Sequence, residues 1–379
     1  MKHLKFIWIF LGLVSLIYVG TLTSVRFKNS NNVQYKIYEA WQQGYVVKQD
    51  KNQSFVNTSN NKAKPVALSE GQGYGLYITQ KAGAKGWAKR KDFDSLLNYY
   101  LAHRDRIGKN NETQTALMKW RQSEKNGKWT SEDNSATDGD IFIAYSLHQA
   151  AKVWPKRAAY YKKLESNLTR DILKYEYNSQ TQALTVGDWV TKKSHYDRLM
   201  RTSDVAPKFF EAFYQASGDK RWLSIKNTML DRMTDLSRKQ QAGLVPDFAW
   251  INTTNARPVK GKVVSSENDG DYYANACRVP MMLASSDDPR AQAVVSKIIK
   301  FFHGQGEIYA GYSLNGRPLK HYQSDSFKAP IFYANNVHKK KQDLREKKLF
   351  SKELTQKNYY DATLITMTAL DTMNDKFAK

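Results

Sequence analysis

Eight stretches of this chain space their apolar residues three or four positions apart, and almost nowhere do apolar and polar residues alternate one by one. They are 35–46, 93–104, 141–154, 160–176, 206–217, 222–237, 291–304 and 359–373. Such spacing lines one face of an α-helix with apolar side chains, whereas a half-buried strand needs a period of two. The chain is therefore expected to be all-α. Between the helices run three long polar segments, 104–138, 176–204 and 241–272, rich in Gly, Asn, Asp and Ser and each holding at least one Trp. Loops longer than about 15 residues in a compact domain are usually functional or disordered, and here their Trp, a residue enriched at binding surfaces, favours function. No shift in composition follows residue 35, so residues 33–379 are expected to form one domain. Helical hairpins arranged in a ring, with their long loops making a cleft at one end, suit this pattern.

The N-terminus reads differently. From Phe6 to Val25 no residue is charged, and Lys2, Lys5, Arg26 and Lys28 flank the run. At a rise of about 1.5 Å per residue the run spans about 30 Å, the thickness of a bilayer core. A cleaved signal peptide has a shorter apolar core and a clear small-x-small site. Residues 1–32 are thus expected to be a transmembrane anchor with a short polar tether, the domain lying outside the cytoplasm, or secreted if the segment is cleaved. Cys277 is the only cysteine, which rules out an intrachain disulfide; it is expected to pack as a small hydrophobe.

Fifty-nine Lys and Arg against 36 Asp and Glu give a net charge of +23. The excess is spread along the chain without a basic arm, and its densest run, 338–348, mixes in acids like a solvated helix face. Nucleic acid is therefore not expected as a partner, and an anionic cell envelope fits the charge better. The seven His are scattered without ligand spacing, so neither a metal nor a cofactor is expected. His148 and His195 are expected to pack or bond locally, and the protein to be a monomer.

Two stretches concentrate chemistry. In "ALSEGQGYGLYITQ", residues 67–80, Glu70 is followed by Gly71, Gly73 and Gly75; glycines leave room for a ligand close to the backbone. In "NSATDGDIFIAYSLHQAAKVW", residues 134–154, Asp138 and Asp140 stand at the start of an amphipathic helix. Helix capping explains one acid there comfortably, but two less so.

Three blocks, "SEGQGYG" at 69–75, "ATDGDIFIAYSLHQAAKVW" at 136–154 and "YYANACRVP" at 272–280, resemble glycoside hydrolase family 8 in order and spacing. The second departs from the family signature only at His148, where an aliphatic residue or Gly is usual. The resemblance covers roughly residues 33–370 and implies an (α/α)6 barrel that cleaves a β-linked polysaccharide with inversion. Such a reaction needs one carboxyl that keeps its proton and a second, ionised carboxylate about 6.5–9.5 Å away to activate water.

By the same resemblance, Glu70 is the general acid, with sugar rings passing over its glycines. Asp138 contacts the sugar of the central subsite and raises Glu70 by like-charge proximity, while Asp140 is structural. Many members carry the basic Asp where this chain has Asn275, and a neutral amide takes no proton from water at neutral pH. A branch with this Asn, which includes chitosanases and mixed-linkage β-glucanases, uses a Glu of the preceding loop. Glu267 is the only glutamate there and is the expected base, with Asp269 and Asp271 as rivals. Arg278 matches an Arg that bonds sugar hydroxyls or orients a carboxylate. Trp129 resembles a family stacking position, and Trp189 and Trp250 sit in the other long loops. Tyr74, Tyr272, Tyr273, Tyr359 and Tyr360 are further candidates for binding sugar.

The expected function is a membrane-anchored endo-β-glycanase acting on a β-1,4 or mixed β-1,3/1,4 glucan. Two alternatives stay open. One is a chitosanase of the same family, although a polycation is repelled at long range by a protein of +23. The other is an inactive polysaccharide-binding protein of glycan export or biofilm matrix, which Asn275 favours.

Overall fold

The computed structural model describes residues 2–61, 63–338, 349–350, 354 and 358–372, with the side chains of 2–5, 7 and 23–31 outside the description. Its architecture follows from two kinds of helix. The outer kind buries one stripe. Helix α9 (Pro289–His303) buries Ala291, Val294, Val295, Ile298, Ile299 and Phe302, the i, i+3, i+4, i+7 pattern of a surface helix. Helices α3 (Arg90–Ala102), α5 (Ala158–Tyr175) and α7 (Arg221–Arg238) do the same.

The inner kind, α2 (Ser69–Ala84), α4 (Thr137–Val153), α8 (Val279–Ala284), α10 (Asp325–His338) and α11 (Tyr359–Thr372), is covered nearly all round, and a further inner helix, α6 (Pro207–Ser217), buries one face and exposes the other. Helix α2 packs on α4 and α4 on α6; α8 packs on α10, α10 on α11, and α11 back on α2. The 3-10 turn Thr202–Asp204 touches both α4 and α8 and bridges the remaining gap. Outside, α3 lies on α2, α5 on α4, α7 on α6 and α9 on α8. The C-terminal part of α1 (Lys2–Tyr45) covers α11, where Trp41 Nε1 donates to Thr363 Oγ1 (3.0 Å) and Gln34 Nε2 to the carbonyl of Ala369 (2.6 Å).

The glycines of 71–75 serve this packing. A Cβ on Gly73 would lie 2.8 Å from Phe142 Cβ, and one on Gly139 would lie 2.6 Å from Ser69 Cβ. Added carbons on Gly71 and Gly75 would run into Thr58 and Val56. Gly73 and Gly139 therefore let α2 and α4 touch backbone to backbone, Gly71 and Gly75 make room for neighbouring side chains, and the expectation that the glycines open space for a ligand is corrected.

The chain is also not purely helical. Segment 104–138 forms strands β4 (Arg104–Ile107), β5 (Thr113–Lys125) and β6 (Lys128–Ser135), and β3 (Val66–Leu68) pairs with β5. Asn126 and Gly127 turn β5 into β6 with φ of 55° and 75°, the positive values a two-residue hairpin demands. Strands β9 (Leu199–Arg201), β10 (Phe248–Ile251) and β11 (Ala256–Pro258) make a second antiparallel sheet, with Arg201 opposite Phe248. Two short hairpins complete the set, β1 (Val46–Lys48) with β2 (Ser54–Val56) and β7 (Tyr177–Asn178) with β8 (Ala183–Leu184).

At the N-terminus, α1 runs through the stretch expected as a tether. Among the described residues no helix is long and apolar enough to cross a membrane. Part of the expected anchor, and run 339–348, lie outside the described residues. The large apolar side chains that are described there, among them Phe6, Trp8, Phe10, Leu16 and Ile17, are exposed.

Candidate active site

One end of the helix ring gathers the N-termini of α2 and α4 and the turns that lead into α6 and α8. Glu70 is the second residue of α2 and Asp138 the second of α4. Both helix starts present free N–H groups and the positive end of the dipole, which favours carboxylates there.

Between them lies the guanidinium of Arg278, only 2 % exposed. Its Nη1 donates to Glu70 Oε2 (2.8 Å) and to the Tyr74 hydroxyl (2.6 Å). Its Nη2 donates to Ser203 Oγ (2.8 Å) and Asn275 Oδ1 (2.7 Å), and both nitrogens lie 3.4 Å from Asp138 Oδ2. A second guanidinium reaches Asp138 from another side, with Arg201 Nη1 2.7 Å from Oδ1 and 3.5 Å from Asp204 Oδ1.

This arrangement drives two carboxyls apart. Burial pushes Glu70 up to about 7; Arg278 pulls the other way and the charge on Asp138 adds to the rise. Burial acts on Asp138 too, but Arg201, Arg278 and the Gly139 N–H outweigh it and hold that carboxyl below its usual range. One group is suited to keep a proton while its neighbour stays ionised, the pattern of paired acids with separate tasks.

Residues 13–374 match the profile of glycosyl hydrolases family 8. The chain belongs to that family. A beta-glucanase of Niallia circulans is 29% identical to it over 307 residues, 78% of this chain and 72% of the relative. An endoglucanase of Bacillus sp. (strain KSM-330) is 28% identical over 344 residues, 84% of this chain and 71% of the relative. Among solved structures, the apo beta-1,3-1,4-glucanase of Paenibacillus sp. X4 superposes with a TM-score of 0.79 at 23% identity, covering 91% of this chain and 92% of that one. The ring is thus the family's (α/α)6 barrel, and the protein is a glycoside hydrolase.

Within this family 8 site the sequence-predicted residues divide. Glu70, Asp138, Asn275 and Arg278 come together. Tyr74 is wholly buried beneath Arg278, so it supports the guanidinium and does not face sugar. Asn275 is held at both ends: Oδ1 accepts from Arg278, and Nδ2 donates to Asp247 Oδ2 (3.3 Å). Asp247 also accepts the backbone N–H of Tyr273 (3.0 Å), Asn275 (3.0 Å) and Ala276 (2.7 Å), and burial lifts it to about 7.

Sequence reasoning missed Asp247, Arg201, Ser203 and Asp204. Their only trace is polar residues in apolar surroundings, "PDFAW" and "RTSDVAP". Burial raises Asp204 to about 7 against the pull of Arg201.

Among the three loop acids, Asp269 is excluded as a base. Its Oδ2 accepts the N–H of Val263 (2.9 Å), Val264 (2.7 Å) and Ser265 (3.0 Å), and its Oδ1 that of Ser266 (2.8 Å). Both oxygens are committed to holding the loop. Asp271 is half-buried, raised by burial with Arg317 opposing. Glu267 is exposed on the pinned loop, beside Gly261.

The aromatics vary in role. Trp129 is half-buried, edge-on to Phe55 at 5.2 Å. Trp189 and Trp250 lean on an apolar cluster of Val186, Val190, Leu199, Phe248 and Val259, with Tyr196 and His195 against them. Tyr272 is fully buried in the core, and Tyr273 is half-buried against Phe327. Tyr359 is buried under Gly71, and Tyr360 donates to the carbonyl of Ala274 (2.8 Å). Cys277 is buried, Asp140 accepts the Met118 N–H (2.9 Å) in the fold interior, and His148 pairs locally with Glu165 (2.9 Å).

Proposed function

We propose that the protein is an inverting endo-β-glucanase that cuts a β-1,4 or mixed β-1,3/1,4 glucan. The observation that carries the reading is Glu70: a carboxyl raised to about 7, hydrogen-bonded to Arg278, beside an Asp138 kept ionised. Glu70 protonates the leaving glycosidic oxygen, and Asp138 stabilises positive charge on the sugar ring in the transition state. Glu267 takes the proton of the attacking water from the opposite face. Its exposure and the pinning of its loop by Asp269 support this role. Trp129, Trp189 and Trp250 offer partly open ring faces for the chain of sugars. The names of the two relatives support glucan as substrate.

The enzyme works as a monomer outside the cytoplasm, held at the membrane by residues 6–25. Exposed Phe6, Trp8, Phe10 and Leu16 support that placement. Membrane fractionation tests it, and a protein released without detergent removes the anchor.

Reducing-end release from barley β-glucan and carboxymethylcellulose tests the activity, with chitosan alongside. Glu70→Gln is expected to abolish turnover, and the first product formed is the α-anomer. Azide added to Glu267→Ala is expected to yield an α-glycosyl azide. Undiminished hydrolysis by Glu70→Gln removes that residue from the acid's role.

A further inference from the structure

Asp138 lies against two cations, and they do not hold it equally. The short bonds of Arg278 go to Glu70, Tyr74, Ser203 and Asn275, at 2.6–2.8 Å, while its approach to Asp138 Oδ2 is 3.4 Å from each nitrogen. The short ion pair of Asp138 is to Arg201, 2.7 Å from Oδ1, the oxygen that also accepts the Gly139 N–H at 3.0 Å. Arg201 is itself fixed. Strand pairing sets it opposite Phe248, its guanidinium lies 5.7 Å over that ring, and Asp204 stands 3.5 Å away. Its side chain is 10% exposed, so little water screens the pair.

We propose that Arg201 is a positioning residue: anchored by Phe248 and Asp204, it clamps Oδ1 of Asp138 and thereby aims Oδ2 at the sugar in the central subsite. Arg278 is occupied with the acid, and Arg201 with the anion. The proposal rests on the roles given above to Glu70 and Asp138.

Several charged or titratable groups face Asp138. Glu70 and Tyr74 come from α2, Arg201 and Asp204 from β9 and its following turn, and Arg278 from the turn before α8. Arg201 lowers both Asp138 and Glu70. Its loss therefore moves both upward. A merely structural role predicts no such coupled movement.

The test uses the full chain with Arg201→Met, which keeps an apolar stem over Phe248, and Arg201→Lys, which keeps the charge without the fork. Turnover of barley β-glucan is measured against pH, with wild type and Glu70→Gln as references. Arg201→Met is expected to lose kcat on the order of 100-fold with KM little changed, and both limbs of its pH profile move to higher pH. Arg201→Lys recovers part of kcat and returns the acid limb toward wild type. An active wild type, a silent Glu70→Gln and an Arg201→Met variant with unaltered kcat and profile overturn the inference while leaving the proposed function intact.

Carboxyl 13C titration of Asp138 in the Glu70→Gln background, with and without Arg201→Met, reads the clamp independently of turnover. The expected result is a rise of roughly one to three pH units. An unmoved titration in a folded variant overturns the inference.

Discussion

Glu176→Gln should make the enzyme more stable in alkali, and the size of the gain follows from a buried carboxyl pair. Glu176 has no exposed surface; its Oε1 accepts the Ser135 hydroxyl at 2.5 Å, and its Oε2 and the Oδ2 of Asp140 are buried with no other partner among the described residues. Burial pushes Glu176 up to about 8, with Asp188 and Asp204 adding to the rise, and Asp140 is raised well above its ordinary range by burial and by Glu176. Two buried acids in contact do not ionise together, so the folded pair keeps a proton. The unfolded chain sheds that proton at about 4.5. Between that pH and about 8 the folded state binds one proton more than the unfolded state, and stability falls as pH rises by about 1.4 kcal/mol per unit. Over the whole window the loss is on the order of 5 kcal/mol.

In Glu176→Gln the amide oxygen still accepts from Ser135, and the NH2 supplies Asp140 with a donor that needs no titration. Urea unfolding, followed by Trp fluorescence from pH 5 to 8.5, measures the effect. The variant should lie within about 1 kcal/mol of wild type at pH 5 and exceed it by a few kcal/mol at pH 8.5. Parallel stability curves for the two proteins would refute the shared proton.

Three further outcomes are expected. Since Glu70 is raised to about 7 chiefly by burial, and in the proposed role of acid it must be protonated to work, kcat/KM should fall as pH climbs through about 7; a profile flat to pH 9 contradicts that. Gly139→Ala drives a methyl group into Ser69 and should cost about 1–3 kcal/mol together with most of kcat, read by denaturation and by turnover. Asp269→Ala strips four backbone N–H groups of their acceptor; it should hasten proteolysis within 259–271 and lower kcat about tenfold, with KM less affected.

What the sequence disclosed follows from how each element is buried. Helices α5, α7 and α9 rest one face on the ring, so their apolar spacing is plain. Helices α2, α8 and α10 are inner helices, covered on most sides, and a helix without a wet face has little periodicity to read. Four glycines in α2 and Pro330 in α10 are also poor helix residues. The hairpin of β5 and β6 did carry a signal, Asn126-Gly127. Its flanks hold Lys and Glu, and the pairing shifts register between Lys119 and Arg121, so no alternation announced it.

Within the site, Glu70 and Asp138 were legible because each opens a helix inside a distinctive block. Arg201 and Asp247 were not, because an ion pair between residues 138 and 201 has no spacing to recognise. Asp269 looked like a rival base because a carboxylate facing four amides is written with the same letter as one facing water.

The meeting of Gly73 and Gly139 has a consequence for how such an enzyme can diversify. There Phe142 and Ser69 lie directly against the main chain of the opposite helix, so the spacing of the two helix starts that carry Glu70 and Asp138 is set by main-chain contact and changes little with repacking elsewhere in the ring. Rim strands and loops other than 259–271 can be rewritten to grip a different polymer while Glu70 and Asp138 keep their spacing, so appetite is free to change without disturbing that pair.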